Sequence, residues 1–539
     1  MSAKKFLLPA VGATVLAAGG AAAYLYLKGP AVDGNTPLTM ASVVPDEAYM
    51  TAFISSNQQS WAKLQQFGTP EAQKVVGQGL QNFQNDVLAQ NNIDFEKDIK
   101  PWIGHGLVAL LPNPQTKSNQ PSMLAVITIR DKISAMQFAG KLATQSGGKT
   151  QEREYKGNKV VTSANGKVNA ALVKDYLVIA TDQTTLESAI NTTQGEPSLA
   201  SQPAAKAVLE QNIELKNNLA TVYLLDYAKS LEGMLAVNPE AKELPSLNTA
   251  QLKNVQSMIA GLGVEDEGVR LKAMVAMGPN APKYNYKPIA GKVISQFPAD
   301  TMMLINGGNV NQIWSQALQQ SQADPAAKKT VEEMRQAVKT ANFDLDKDIF
   351  SWMDGEFGLA LIPSDRGILA QVGFGGLMVI DTSDRQTAEA TLAKLDQLAK
   401  SNAVMVEQRD VQGKKITEWN SPFGAVLGHG WLDNDSLFVA LGGPMIDIAT
   451  TQPSSALDNS QTFKTATSNL PKQNLGYFYL DMDKTMTLVN RFALMTGAVI
   501  PPEPTALLNS VKSIGMTSTQ VNDTTAKMDM LMALKKAQS

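Results

Sequence analysis

An acidic stretch that ends in tryptophan occurs twice in this chain. Residues 92–102 are NIDFEKDIKPW, and residues 342–352 are NFDLDKDIFSW. Four other stretches recur in the same order, namely 45–61 with 298–314, 129–142 with 381–395, 174–180 with 434–440, and 222–229 with 477–484. Because the copies lie much further apart than the repeats of a solenoid, the five ordered matches predict a duplicated domain.

Prolines mark the boundary between the copies. Pro279, Pro282 and Pro288 interrupt residues 278–292, which we predict to be a linker. The copies then occupy residues 45–277 and 293–539, after a spacer at 29–44. In each copy, strand-like runs joined by short turns alternate with helical patterns. This arrangement predicts an α+β fold with a mainly antiparallel sheet and helices on one side of it.

Residues 1–28 are predicted to anchor the chain in a membrane. The run at 6–27 is uncharged and has about the 20 residues that a helix needs to cross a bilayer. Lys4 and Lys5 precede it, so the positive-inside rule places the N-terminus in the cytoplasm and the bulk of the chain on the far side. A cleaved signal peptide is the alternative, because residues 21–23 are alanines, but the apolar run continues past them. We expect a single-pass membrane protein whose bulk lies in the periplasm or the thylakoid lumen.

A second apolar run, FALMTGAVI at 492–500, is too short to cross a bilayer. It leads directly into Pro501 and Pro502, which interrupt a helix. We predict that this run ends a buried helix, so one membrane span is expected.

The acidic motif has two interpretations. Its alternating carboxylates superficially resemble a calcium-binding loop. Counted from Asp344, however, the sixth position is Ile349 instead of Gly and the twelfth is Gly355 instead of Glu. The other interpretation is a helix start, in which Asp94 and Asp344 are N-caps that accept backbone N–H groups of the first turn.

An apolar stripe favours the helix start. Phe95, Ile99 and Trp102 stand at positions i, i+4 and i+7, and the second copy repeats this spacing. Glu96 and Asp346 would then lie at the positive end of the helix dipole. We predict a structural motif that binds no metal, composed of Asp94, Asp98, Trp102, Asp344, Asp348 and Trp352.

This combination of features resembles a known family. The D-apolar-x-x-D-I-x-x-W motif, the duplicated α+β unit and the N-terminal membrane segment are similar to bacterial, notably cyanobacterial, proteins grouped as domain of unknown function 3352. The resemblance covers most of the chain beyond residue 40, although the first copy has Pro101 where the second has Ser351. It implies an exported protein of the envelope or thylakoid and carries over no catalytic residue.

Composition excludes several kinds of chemistry. The chain has no Cys and only 2 His, which excludes disulfides, thiol nucleophiles and Cys-ligated zinc. A net charge of -3 without a Lys/Arg cluster gives no basic face for nucleic acid. No G-x-S-x-G or H-E-x-x-H motif occurs, and GGKT at 147–150 lacks the leading Gly of a phosphate loop. We therefore predict a protein that is not an enzyme, with no catalytic residue, cofactor or metal.

Three isolated features have structural interpretations. His105 and His429 occupy non-equivalent positions of the two copies, and we interpret each as a turn residue near a strand end. The pair Asp481 and Asp483 follows a strand-like run, and we interpret it as a cap or turn instead of a carboxylate dyad.

Alternating methionines give the one sequence hint of a ligand. Met528, Met530 and Met532 fall on one face of the last predicted strand. Such a face can line a lipid or pigment groove, but filling a core is the commoner use of Met. We expect a noncatalytic interaction or scaffold protein with an unidentified protein partner. A carrier or chaperone for lipid or pigment is the alternative, and a hydrolase is the least favoured.

Overall fold

The computed structural model describes most of the chain, and it forms two compact units. The described residues are 35–83, 93–113, 121–145, 151–163, 166, 168–237, 254–279, 281, 286–322, 325–451 and 455–537. The first unit comprises Met1–Ala281, Thr524–Lys527 and Lys536–Ser539, and the second comprises Pro282–Asp523 and Met528–Lys535.

The first unit combines strands with helices. Its strands are β1 (Met50–Ile54), β2 (Ile103–Leu111), β3 (Ser122–Ile129), β4 (Gln151–Tyr155), β5 (Asn158–Thr162), β6 (Asn169–Val173), β7 (Tyr176–Ala180), β8 (Asn218–Leu224), β9 (Val255–Val264) and β10 (Gly268–Met277). Its α-helices are α1 (Pro37–Met40), α2 (Gln58–Leu64), α3 (Pro70–Phe83), α4 (Lys132–Gln145), α5 (Gln183–Thr192), α6 (Pro203–Leu209) and α7 (Tyr227–Val237). A π-helix spans Phe95–Ile99.

The strands of this unit form one antiparallel sheet. Their spatial order is β10-β9-β8-β1-β2-β3-β7-β6-β5-β4, and every one of these pairings is antiparallel. β1 lies between β2 and β8, with Ala52 opposite both Val108 and Val222.

A hydrophobic core lies against one face of this sheet. Leu107, Leu124 and Val178 are fully buried there, and α5 contributes Leu186 and Ile190 to the same cluster. Burying side chains of this size contributes about 1.5–3 kcal/mol each. Residues 37–44, which lie inside the predicted spacer 29–44, form α1 and a short 3-10 helix and add four buried side chains to the cluster. The packed unit therefore begins before residue 45.

The second unit has the same kinds of element. Its strands are β11 (Met303–Gly308), β12 (Glu356–Pro363), β13 (Phe374–Asp381), β14 (Met405–Val411), β15 (Lys414–Ser421), β16 (Gly424–Trp431), β17 (Ser436–Leu441), β18 (Tyr477–Asp481), β19 (Val511–Asn522) and β20 (Thr525–Leu534). Its α-helices are α8 (Val310–Ser321), α9 (Pro325–Lys339), α10 (Arg385–Ser401), α11 (Gly443–Thr450), α12 (Gln461–Ala466), α13 (Met482–Thr496) and α14 (Pro502–Asn509). A π-helix spans Leu345–Phe350.

The strand order of the second unit is β20-β19-β18-β11-β12-β13-β17-β16-β15-β14. It equals the order of the first unit when the strands of each are counted from their own first strand. The pairings from β19 to β14 are antiparallel. The predicted combination of helices with mainly antiparallel sheets is therefore confirmed.

Helices of the second unit cover both faces of its sheet. Leu377 and Val379 of β13 pack with Ile446 of α11 in one cluster, whereas Ile380 packs with Leu392 of α10 in another. Adjacent strand residues such as Val379 and Ile380 point to opposite faces. The prediction that helices lie on one side only is wrong for this unit, because its strands carry buried apolar side chains on both faces of the sheet.

The predicted membrane span at 6–27 lies outside the described residues. Within the part of the chain that the structure describes, no helix combines the length and the apolar character needed to cross a bilayer.

Candidate functional site

The second acidic motif begins a short helix that its own aspartate caps. Asp344 precedes the π-helix Leu345–Phe350, and its Oδ1 accepts the N–H groups of Asp346 and Lys347, both at 3.0 Å. These groups have no partner inside the helix, so a carboxylate at this position satisfies them and interacts favourably with the helix dipole.

Asp348 ties this helix to α10. Its Oδ2 accepts the N–H of Asp344 at 2.8 Å, and its Oδ1 lies 2.7 Å from the Lys394 ammonium. The backbone N–H of Asp344 and the Lys394 ammonium hold the pKa of the Asp348 carboxyl below its ordinary value. The Asp348 carbonyl accepts a bond from Trp352 Nε1 at 2.9 Å and another from the Thr391 hydroxyl.

The first motif repeats most of these contacts. Asp94 Oδ1 accepts the N–H of Lys97 at 3.1 Å, and Asp98 Oδ2 accepts the N–H of Asp94 at 2.7 Å and pairs with Lys141 of α4. Trp102 Nε1 donates to the Asp98 carbonyl at 2.6 Å. Burial raises the pKa of the Asp98 carboxyl, but the bonds from Lys141 and the Asp94 N–H outweigh it, and the pKa is lowered.

All six predicted motif residues thus meet within their own unit, three in each. Trp102 and Trp352 are 2% and 3% exposed, so each tryptophan is a core residue. Each carboxylate is occupied by backbone N–H groups or a lysine, which suits a structural role. The partner lysines had no predicted role, because they lie 43 and 46 residues from Asp98 and Asp348.

The second motif makes further contacts through Asp346, the acid between Asp344 and Asp348. Asp346 accepts Trp314 Nε1 at 2.7 Å and pairs with Arg335 at 2.9 Å, and the Trp314 ring stacks on Phe350 with centroids 4.5 Å apart. This acid therefore connects α8 and α9 to the π-helix, in addition to its predicted place near the helix dipole. The side chains of Phe95 and Glu96 in the first motif lie outside the described part of the structure.

Both histidines lie in strands, so their interpretation as turn residues is wrong. His105 is in β2, and its Nδ1 accepts the N–H of Ser56 at 3.0 Å. His429 is in β16, and its Nε2 lies 2.9 Å from Asp396 Oδ1, which also accepts Trp419 Nε1 at 2.7 Å. Burial raises the pKa of the Asp396 carboxyl, but these two bonds outweigh it and the pKa is lowered. This buried cluster joins α10 to β15 and β16.

The acidic pair after β18 begins a helix. Asp481 is the N-cap of α13 and accepts the N–H of Lys484 at 3.1 Å, while Asp483 pairs with Lys535 at 2.6 Å. Among the described residues, no group of three or more His, Asp or Glu side chains is placed to hold a metal ion. Residues 147–150, the polar GGKT stretch, lie outside the described residues.

An exposed apolar surface occurs where α13 ends and α14 begins. We call it the apolar hairpin and define it by Phe492, Leu494, Met495, Val499, Leu507 and Leu508, which are 63%, 86%, 58%, 92%, 44% and 45% exposed. The prediction that the run at 492–500 ends a buried helix is wrong. The helix does end there, at Gly497 with φ of 68°, but its last turn faces solvent.

The apolar side chains of α13 are buried at its start and exposed at its end. Met482 and Met486 are 5% and 6% exposed at its start and pack with Val511 of β19, whereas Val489 is 38% exposed and Leu494 86%. The helix leaves the sheet after β18, and α14 leads back into β19, which is the neighbour of β18. At 1.5 Å per residue, the 15 residues of α13 extend over about 22 Å. The apolar hairpin therefore lies at the far end of α13 from β18.

Comparisons with known proteins show the family of the chain. No curated protein matches it significantly. Crystal form I of TP0453 has 10% identity over 47% of this chain and 82% of that chain, with a TM-score of 0.28. Crystal form III of TP0453 has 9% identity over 47% and 84%, with a TM-score of 0.26. The family match extends over residues 10–534 and confirms the resemblance drawn from the acidic motif. The chain belongs to the family described as protein of unknown function DUF3352.

Proposed function

We propose that the chain is a membrane-anchored, extracytoplasmic, noncatalytic interaction protein. The apolar hairpin carries this proposal, because Leu494 and Val499 are almost fully exposed and contribute nothing to a core. Contiguous exposed apolar patches on folded domains commonly mark interaction or membrane surfaces. The hairpin is the docking surface in this proposal.

The proposal includes two homologous α+β domains, at residues 45–277 and 293–539, joined at 278–292. The equal strand order of the two units supports it. The repeated contacts of Asp98 and Asp348 with a lysine, an N–H group and a tryptophan support it as well. Two domains with the same fold and different surfaces, held by one membrane tether, suit a scaffold protein that binds partners.

The membrane anchor in the proposal is residues 1–28. Its support is the uncharged run at 6–27 after Lys4 and Lys5, which places the N-terminus in the cytoplasm and the two units in the periplasm or thylakoid lumen. The proposal assigns no catalytic residue. Asp98, Asp348 and Asp396, three partly buried acids, are engaged in contacts that hold helices in place.

The test of the anchor uses the absence of cysteine from the chain. Gln59→Cys, on the exposed side of α2, places a single thiol in the full chain expressed in a bacterial host. We expect the chain to stay in the membrane fraction after an alkaline wash and to react with a membrane-impermeant maleimide in spheroplasts. Deletion of residues 6–27 is the matched control and should release the chain. Release of the intact chain, or reaction only after lysis, would contradict the proposal.

The alternative function, a carrier or chaperone for lipid or pigment, has less support. Met528, Met530 and Met532 do lie half-buried on one face of β20, but Met532 packs with Met482 and Met486 in a buried cluster. This contact favours core filling over a ligand groove. Native mass spectrometry of the purified full chain in detergent tests it. Bound lipid or pigment at a fixed stoichiometry would favour the carrier.

A further inference from the structure

We infer that the occupant of the apolar hairpin is the interfacial region of a lipid bilayer. This inference rests on the proposed membrane-tethered interaction protein and names the partner of its docking surface. The angular spread, exposure and lack of charge of the hairpin support it.

Apolar side chains cover a broad face at the end of α13. At about 100° per residue, Leu494 and Met495 lie roughly 200° and 300° around the helix from Phe492, so the three side chains span an arc of about 160°. All three are more than half exposed. A helix that binds a groove of a protein partner presents a narrower stripe of anchors, at i, i+3, i+4 and i+7, which spans about 100°. A broad apolar face suits a helix that lies in the interface of a bilayer.

The exposure of the hairpin is also greatest around its turn. It rises from 6% at Met486 to 86% at Leu494 and reaches 92% at Val499 in the turn. A fluid bilayer adapts its shape to such a segment and buries the apolar side chains on both sides of the turn.

The hairpin is nearly free of charge. Residues 492–502 contain no charged side chain, and Glu503 is the only one in 492–509. The nearest cation, Arg491, donates to the carbonyl of Ala370 at 2.7 Å. Attraction to an anionic partner is therefore not the basis of binding. Burial of apolar area is, and we expect it to depend little on salt or on anionic lipid.

The turn limits how deeply the hairpin inserts. Backbone groups outside helices need partners that a hydrocarbon core does not provide. The non-helical segment at 497–501 therefore favours the interface, where amphipathic elements insert by roughly 5–10 Å. A shallow apolar contact is weak alone, but the tether raises its effective concentration to the order of millimolar.

A fluorescence experiment on the full chain tests this inference. Leu494→Cys carries an environment-sensitive NBD label, and Gln336→Cys, on the exposed side of α9, carries the same label as a control. Each protein is reconstituted through its own N-terminus into phosphatidylcholine vesicles with or without a doxyl-labelled lipid. We expect doxyl quenching at position 494 and none at 336. In the background Leu508→Ser/Val499→Ser, the ratio of inserted to free hairpin should fall by at least about tenfold.

Two other outcomes would overturn the inference, and a third would separate it from the tether. Absence of quenching at 494 in chains that remain in the vesicles after an alkaline wash would reject lipid insertion while leaving the tether intact. A blue shift of the 494 label without doxyl quenching would show that a protein surface, such as a second copy of this chain, covers the hairpin. Quenching at 494 in chains that the wash releases would support insertion and reject the tether.

Discussion

The two units agree in a cluster around a buried tryptophan and differ in the sequence that follows β8 and β18. In both units, an aspartate four residues after the capping aspartate, Asp98 or Asp348, pairs with a lysine of the next long helix. Its backbone carbonyl accepts a bond from the tryptophan four residues later in the chain. After β18, the second unit continues into the apolar hairpin. The corresponding sequence after α7, residues 238–253, contains Glu240, Lys242, Glu243 and Lys253, whereas 493–509 contains only Glu503. The comparison teaches that the shared cluster serves folding, and that function is better sought where the units differ.

Removal of either tryptophan should have the largest effect. Trp102→Ala and Trp352→Ala each delete a side chain that is 2–3% exposed, and we expect each to lower the free energy of unfolding by about 3–5 kcal/mol. Urea unfolding monitored by circular dichroism measures this loss. Phe423→Ala, at a side chain that is 86% exposed, is the control and should change stability by no more than about 0.5 kcal/mol. A large loss for only one tryptophan would break the equivalence of the two clusters.

Loss of the aspartate that binds lysine should cost less. Asp98→Ala and Asp348→Ala leave the N–H of Asp94 or Asp344 and a lysine without their partner. Because these bonds are exposed to water, we expect a loss of about 0.5–2 kcal/mol, as for other side chains that cap a helix. The same urea experiment measures it, and Lys394→Met isolates the contribution of the ion pair to the Asp348 effect. If Lys394→Met lowers the free energy of unfolding by as much as Asp348→Ala does, the bond from the Asp344 N–H contributes nothing.

Acid should reduce the contribution of both clusters to the free energy of unfolding. The reduction should not exceed the effect of Asp98→Ala or Asp348→Ala. The pKa of Asp98 and of Asp348 is lowered in the folded chain, so their stabilisation is present above the ordinary Asp pKa of about 3.9. It is lost as the pH falls through the lowered folded value. Asp98→Asn should therefore be less stable than the unaltered chain at neutral pH, and the difference should shrink in acid. A difference independent of pH would contradict the lowered pKa.

Polar substitution of the hairpin should have the smallest effect on stability. Leu494→Ser and Val499→Ser change side chains that are 86% and 92% exposed, so each should alter the free energy of unfolding by no more than about 0.5 kcal/mol. Met486→Ala, on the buried part of the same helix, is the matched control and should cost about 2–5 kcal/mol. A loss at Leu494 comparable to that at Met486 would mean that the hairpin belongs to a core.

Local rules predicted the acidic motif well and its surroundings poorly. The capping role of Asp344 follows from its place before an apolar stripe, because an N-cap needs only neighbouring backbone N–H groups. Lys394 and Arg335 approach the motif from other helices, and no local pattern assigns them to Asp348 or Asp346. The small residues around His429 predict a turn, but this segment pairs with β15 and β17 as strand β16.

Sequence by itself determined the mixed architecture, the family and the recurrence of the motif, because periodicity and spacing are properties of neighbouring residues. Tertiary structure alone decided which face of each element is covered. The run at 492–500 has the composition of a core segment, yet Phe492, Leu494 and Val499 are exposed, whereas Met482 and Met486 of the same helix pack against the sheet. Burial depends on what packs against a side chain, and that partner comes from residues distant in the chain.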